Sequence, residues 1–316
     1  MDFITELGLF AAKLLALLVF AWALVGGVMA ILKQRERPAE DRLEVKRLND
    51  KYEAMLGKLR AVTLPPKQRG RWLRQHRAQR RRGLDGRKKV FVLRFQGDMR
   101  AVAVASLREE ITAVLMVAQP ADEVVLLLES PGGVVHGYGL GASQLQRLRD
   151  RQVPLTVIVD KVAASGGYLM ACVANRLIAA PFAVVGSIGV IGQLPNFNRL
   201  LKNHDIDFEM VTAGEHKRTL TMFGENTAKG REKFQAELEE THALFKDFVS
   251  RYRPAVDIQR VATGEHWYGT QALGLRLIDA VQTSDDYLQA LCTEADVYDL
   301  RYTRRKPWFE RLFATR

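Results

Sequence analysis

Ala163-Ala164-Ser165-Gly166-Gly167-Tyr168 lies between a β-branched run, Leu155 to Val159, and a short apolar stretch of helical pattern, Tyr168 to Val173. A serine flanked by glycines at a strand-to-helix corner stands at the end of a sheet with a backbone amide directly behind it, where a nucleophile is placed. Ser-Gly-Gly also makes ordinary turns, and Ser is a frequent helix N-cap. The reading of this corner depends on the residues around it.

Working outward, Phe91 to Phe95 reads as a strand, Val102 to Gln119 as a helix, Glu123 to Glu129 as a fully apolar buried strand, Tyr138 to Asp150 as a helix, and Pro154 to Asp160 as another strand. Continuous hydrophobic strands alternating with helices mean an α/β domain with a parallel sheet covered on both faces. Residues 169–192 are apolar enough to score as a membrane span. However, Asn175, Arg176 and Pro181 near the middle and the Gly or Ser residues at 166, 167, 186, 187, 189 and 192 instead predict a buried helix, strand and loop. Beyond them the pattern predicts a helix around Asn196–Asn203, a strand at Phe208–Thr212 and a long amphipathic helix from about Thr227 to Arg253.

At the N-terminus, Leu9 to Leu32 is apolar except for Lys13, long enough at 1.5 Å per residue to cross a ~30 Å hydrocarbon core. A cleaved signal peptide is the rival, but the run is too long and no small-x-small site closes it. The segment therefore reads as a retained transmembrane helix. From Ala39 to Arg60, apolar residues at Val45, Leu48, Tyr52, Met55 and Leu59 mark an amphipathic helix that pairs with a copy of itself or lies on the membrane, ended by Pro65-Pro66. The net charge is +11, and the stretch Lys67 to Lys89 holds eleven Lys/Arg against one acid, Asp85. This places nearly all of the excess in one linker, which meets anionic headgroups more simply than nucleic acid, since it carries only Trp72 as an aromatic and no nucleic-acid module. The positive residues after the helix put the C-terminal bulk in the cytoplasm by the positive-inside rule. The expected organisation is a membrane anchor (1–33), a charged helical linker (34–89), a catalytic domain (90–300) and a basic tail (301–316).

Four pieces align with Ser165. Ser130-Pro131-Gly132-Gly133 follows a buried strand, at the sheet end where α/β folds bind ligands, and an amide from Gly133 or Gly132 paired with that of Gly166 would form an oxyanion hole. None of the six histidines, His76, His136, His204, His216, His242 and His266, sits in a context that favours a base. Lys217, in Thr212-Ala213-Gly214-Glu215-His216-Lys217, is the better candidate, because a lysine acts as a base once desolvation depresses its pKa. Ser187, in Gly186-Ser187-Ile188-Gly189, supplies a second hydroxyl to orient the amine. Cys172 and Cys292 show no metal-site spacing, and nothing calls for a metal or a cofactor.

In order and spacing, SPGG, ASGGY, GSIG and AGEHK, with a closing motif from Gly264-Glu265-His266-Trp267-Tyr268-Gly269 to Ile278-Asp279, resemble the SppA/SohB family of membrane-anchored serine peptidases, closest to the SohB branch. The match runs from about Val90 to Ala280. The resemblance implies a ClpP/crotonase-type core of repeated ββα units. It also implies Ser165 as nucleophile, Lys217 as base, Ser187 as the supporting hydroxyl and Gly133 and Gly166 as oxyanion donors. It further implies an endopeptidase that cleaves signal-peptide remnants or other membrane-associated peptides through an acyl-enzyme, in a homo-oligomer with grooves shared between subunits, anchored in a bacterial inner membrane through residues 9–32. The family's catalytic domains are extracytoplasmic, against the charge argument, so the side of the membrane stays open. Two rivals remain at this point: a crotonase-like acyl-CoA enzyme using the same amides, and a non-catalytic membrane scaffold.

Overall fold

A computed structural model of the chain describes residues 2–35, 41–65, 67–72 and 86–304, so most of the basic linker and of the tail lies outside the described residues. The chain divides into two units, the second being Leu43–Thr303. The first contains helix α1 (Asp2–Arg35), in which Leu14, Leu15, Leu17, Leu18, Phe20 and Trp22 are all more than half exposed. Among the described residues no helix is long and apolar enough to cross a membrane.

The second unit is mixed α/β around a seven-stranded sheet. Its strands, in chain order, are β1 (Arg42–Arg47), β2 (Lys89–Gln96), β3 (Glu123–Glu129), β4 (Leu155–Val159), β6 (Arg176–Ala179), β9 (Ala280–Val281) and β10 (Asp296–Thr303), arranged β1-β10-β2-β3-β4-β6-β9. Each pairing from β10 to β9 is parallel. The central strands are apolar on both faces because both faces are covered. Phe91, Leu93, Phe95, Val124, Leu126, Leu128, Leu155 and Val157 face one core, shared with Leu107 and Ile111 of α3 (Val104–Leu115) and Tyr138, Ala142 and Leu145 of α4 (Val135–Asp150). The alternate residues Val90, Val92, Val125 and Ile158 face the other, covered by Leu48 and Tyr52 of α2 (Leu48–Thr63) and Leu288 of α10 (Ser284–Glu294). Period-2 alternation across a doubly covered sheet accounts for both sets.

A second, three-stranded sheet joins β5 (Val162–Ala164), β7 (Val184–Gly186) and β8 (His266–Tyr268). The remaining helices of this part of the chain are α5 (Gly166–Ala171), α6 (Asn198–Lys202), α7 (Ala228–Tyr252), α8 (Ile258–Val261) and α9 (Gly269–Gly274). The long helix α7 starts where expected, with the Thr227 hydroxyl accepting from the Gly230 amide.

Two expectations are corrected. The amphipathic helix assigned from Ala39 begins only at Leu48, because Arg42–Arg47 is an edge strand beside β10. The join is fastened by Arg47, whose guanidinium meets Asp296 at 2.6 Å, and by buried Asn49, which donates to the Cys292 and Ala295 carbonyls and accepts from the Val297 amide. The strand expected at Phe208–Thr212 is absent: no strand among the described residues pairs with it, and Phe208, Met210 and Val211 are exposed. An unpaired extended segment leaves its amides to water and gains nothing from a ladder.

Glu110, on α3, is a carboxyl buried beside the end of β10. It is 4% exposed, one of its oxygens accepts from the Tyr302 amide at 2.7 Å, and the other is buried with no partner among the described residues. Burial pushes its carboxyl up to about 7 from an ordinary 4.5. The folded chain therefore keeps a proton that the unfolded chain releases above pH 4.5. Stability should fall as pH rises from 4.5 to 7, by on the order of 2–3 kcal/mol. Denaturant unfolding at pH 5 and pH 8 checks this, and in Glu110→Gln this component of the slope should vanish.

Candidate active site

The serine corner is built by short-range geometry. β5 ends at Ala164, and Ser165 takes φ 52° and ψ −121° before α5 begins at Gly166. A left-handed backbone at a residue with a Cβ costs on the order of 1–3 kcal/mol and survives only where the surroundings impose it. Here the Ser165 amide donates to the Gly186 carbonyl at 2.8 Å, and the Ser165 carbonyl accepts from Leu169 at 3.0 Å. The side chain is left half-buried at the corner.

The glycine turn after β3 is fastened to the same place. Ser130 donates its amide to Val162 at 2.8 Å and accepts from Ala164 at 3.0 Å, forming a parallel bridge opposite Ala163. Gly132 has φ 93°, and a Cβ placed on it would lie 2.8 Å from the Ala164 oxygen, the Gly166 nitrogen and the Ser165 Cβ. Only glycine lets the two turns approach this closely. Of the amides in the turn, that of Gly132 donates to the Ser130 hydroxyl at 3.1 Å and that of Val134 to the Met99 carbonyl at 2.9 Å. Between them, the Gly133 amide has no acceptor among the described residues. Neither does the amide of Gly166, at the first position of α5, where no helical acceptor exists. These two N–H groups are suited to receiving an oxyanion.

Ser187 arrives by strand register. β5 and β7 run parallel with Val162 opposite Val184 and Ala164 opposite Gly186, so the spacing of twenty-two residues between Ser165 and Ser187 is the offset of this ladder. Both serines leave the ends of neighbouring strands, which lie about 4.8 Å apart. Ser187 is half-buried with φ 51°, its amide held by the Glu265 carbonyl at 2.7 Å.

Lys217 is not brought to this group. It is exposed, in a segment between Lys202 and Ala228 without helix or strand, and among the described residues it makes no hydrogen bond with Ser165. Its local order is a turn at Gly214, whose carbonyl accepts the Lys217 amide at 3.2 Å, and an ion pair at 2.6 Å between neighbouring Glu215 and Lys229. None of the described histidines bonds Ser165 either.

Beside the serine opens a cavity of about 380 Å³ lined by Gly133, Ser165 and Gly166 and by apolar side chains, chiefly Leu169, Val190, Ile191, Leu244, Phe245 and Phe248. The contribution of α7 was not foreseen from sequence, although Thr241, Leu244, Phe245 and Phe248 follow helical spacing along one face. A larger cleft of about 550 Å³ is lined by Arg94, Glu110, Glu129, Asp160 and Arg301. It contains none of the serines or free amides described above. Among the described residues no His, Cys, Asp and Glu cluster is placed to hold a metal.

Two family models match the chain: peptidase family S49 over residues 147–298 and peptidase family S49 N-terminal over residues 2–145. A probable protease SohB from Haemophilus influenzae is 47% identical over 320 residues, spanning 96% of this chain and 90% of that protein. Another, from Buchnera aphidicola subsp. Schlechtendalia chinensis, is 45% identical over 303 residues, spanning 91% of this chain and 99% of its own length. Among solved structures, a membrane-bound stomatin-specific protease is similar at a TM-score of 0.42 and 15% identity, over 65% of this chain and 84% of that one.

The contact between the two turns generates a direct test. Gly132→Ala forces a side chain into the Ala164 and Gly166 backbone at a positive φ, and should lower stability by about 1–3 kcal/mol. Peptidase activity should fall further than the unfolded fraction explains, as read by melting temperature and turnover on the same preparation.

Proposed function

The chain belongs to peptidase family S49, and from that premise we propose that it is a membrane-anchored serine endopeptidase with Ser165 as nucleophile and Lys217 as general base. The observation that carries the reading is Ser165 itself, held with a left-handed backbone at the mouth of an apolar cavity, beside the free amides of Gly133 and Gly166. In this mechanism the Ser165 hydroxyl oxygen attacks the scissile carbonyl carbon while its proton passes to neutral Lys217 Nζ. The carbonyl oxygen becomes an oxyanion that accepts from Gly133 and Gly166, each such donor contributing about 3–4 kcal/mol. Collapse breaks the C–N bond, the leaving amine takes the proton from Lys217, and an ester remains on Ser165. Water, deprotonated by Lys217, hydrolyses that ester and restores the hydroxyl. Ser187 holds the amine in line.

Lys217 acts as a base only when water is removed from around it. Its segment also exposes Ile206, Phe208, Met210 and Val211, the last at 97%. Burial of that apolar surface between copies of the chain accounts for both features, so we assign the active form to a homo-oligomer with a ClpP/crotonase-type core. The apolar run 9–32, with every described side chain exposed, serves as the anchor in a bacterial inner membrane. Substrates are then membrane-associated peptides with an apolar residue at the cleavage site, matching the cavity.

Ser165→Ala and Lys217→Ala should each lower peptide hydrolysis by at least about 10⁴-fold without loss of fold. Ser165→Ala should also abolish fluorophosphonate labelling. Full activity in either variant rejects the dyad, and thioester turnover without labelling of Ser165 favours a crotonase-like enzyme. The cavity has its own test at Gly139, a lining residue where an added Cβ meets nothing within 4 Å. Gly139→Val should shift preference from Leu or Phe towards Ala at the cleavage site by about 10–200-fold in relative kcat/KM.

A further inference from the structure

The free amide of Gly133 depends on a hydrogen-bond chain whose direction is fixed. The Tyr138 hydroxyl lies 2.8 Å from the Asp98 carbonyl oxygen and 2.6 Å from the Ser130 hydroxyl. A carbonyl only accepts and a phenol has one proton, so Tyr138 donates to Asp98. Ser130 must then donate to Tyr138, which leaves the Ser130 oxygen to accept from the Gly132 amide at 3.1 Å. Ser130 and Tyr138 are both 0% exposed, so no water competes for either hydroxyl. Asp98 is held in turn, its carboxylate accepting from the Val102 amide at 2.9 Å and its carbonyl from Ala101 at 3.0 Å.

The consequence reaches both free amides. With Gly132 bonded to Ser130 and Val134 tied to Met99, Gly133, which lines the cavity, is left as the amide of the turn with no acceptor among the described residues. The ring of Tyr138 packs where a side chain on Gly166 would have to go, and meets Phe95 edge-on at 6.3 Å. One buried side chain thus braces the backbone of the first donor through its hydroxyl and that of the second through its ring. Burial of this ring raises the phenol pKa and so favours the protonated hydroxyl, an effect partly offset by the Ser130 bond.

Resting on the reading of Ser165 as nucleophile, we propose that Tyr138, acting through Ser130, is a positioning residue that selects and aims the Gly133 amide at the oxyanion. A brace of this kind acts on the transition state and leaves ground-state peptide binding alone, because the oxyanion is where the aim matters.

The test uses the full-length protein in detergent, with active sites counted by fluorophosphonate titration. Tyr138→Phe keeps the ring and removes only the hydroxyl; Ser130→Ala cuts the same chain one link away. Per titrated site, each should lower kcat by about 10–100-fold with KM unchanged within about twofold. Affinity for a peptide boronate, which forms a tetrahedral adduct on the serine, should fall by the same factor as kcat/KM. The double variant should fall no further than the weaker single one, since both cut one chain. Unchanged kcat per titrated site, a loss confined to KM, or additive losses in the double variant would overturn the proposal. Failure of the wild type to label at Ser165 would instead reject the serine-peptidase reading on which it rests.

Discussion

The parallel pairing of β5 with β7 is the constraint on which the rest of the site depends. It places Ala164 beside Gly186, and the next amide, that of Ser165, closes on the Gly186 carbonyl at 2.8 Å. That single bond fixes the residue at which the chain must leave the strand. It forces the positive φ that turns Ser165 into the corner. The bridge from Ser130 to Ala163 then brings the end of β3 to the same strand, so three chain segments meet at one short ladder. A strained residue persists only inside such an over-determined frame.

The frame has a second support on the far side of the cavity. Arg253, at the end of α7, makes two bonds of 2.8 Å to the Asp279 carboxylate, which also accepts from the Leu177 amide at 2.7 Å. Buried Tyr168, three residues after Ser165, donates to the Leu277 carbonyl at 2.9 Å. Helix α7 carries Leu244, Phe245 and Phe248 into the cavity wall, so Asp279 ties that wall to the strand after α5. The motif Ile278-Asp279, read in the sequence only as part of a resemblance, acquires a physical role as the anchor of α7. Arg253 is buried while the Asp279 side chain is 37% exposed, so loss of the carboxylate would leave the buried guanidinium without its compensating charge.

Much of this was legible in the sequence for identifiable reasons. β3 and β4 are apolar at nearly every position because both faces are buried, and helices α4 and α7 carry a clear 3.6-residue stripe. The distance of twenty-two residues between Ser165 and Ser187 entered the sequence reading only through the resemblance, and the structure explains it as a strand register. β9 was not readable, since two residues carry no period. Nor was β1, whose Arg-Leu-Glu-Val-Lys-Arg alternation passes for one side of a helix. The signal that could have found it was Asn49, a polar residue where an amphipathic helix would hold an apolar one. Its amide side chain ties the start of α2 to the segment before β10.

The distance of fifty-two residues between Ser165 and Lys217 is of another kind. It corresponds to no register within one chain, and Lys217 stands in solvent in a segment whose apolar residues are uncovered. The difference follows from what each group needs. A serine hydroxyl and two amides are neutral, and one chain can pre-arrange them half-buried at modest cost. A lysine that must be neutral to act requires a dry environment, and a loop that exposes Val211 at 97% cannot provide one by itself. In the proposed mechanism the two requirements separate cleanly. The backbone of a single chain sets the nucleophile and the oxyanion donors, whereas desolvation of the base waits on a surface supplied from outside that loop. On the proposed reading, such a peptidase would stay without its base until copies of the chain assemble, which would limit cleavage to the place where they meet.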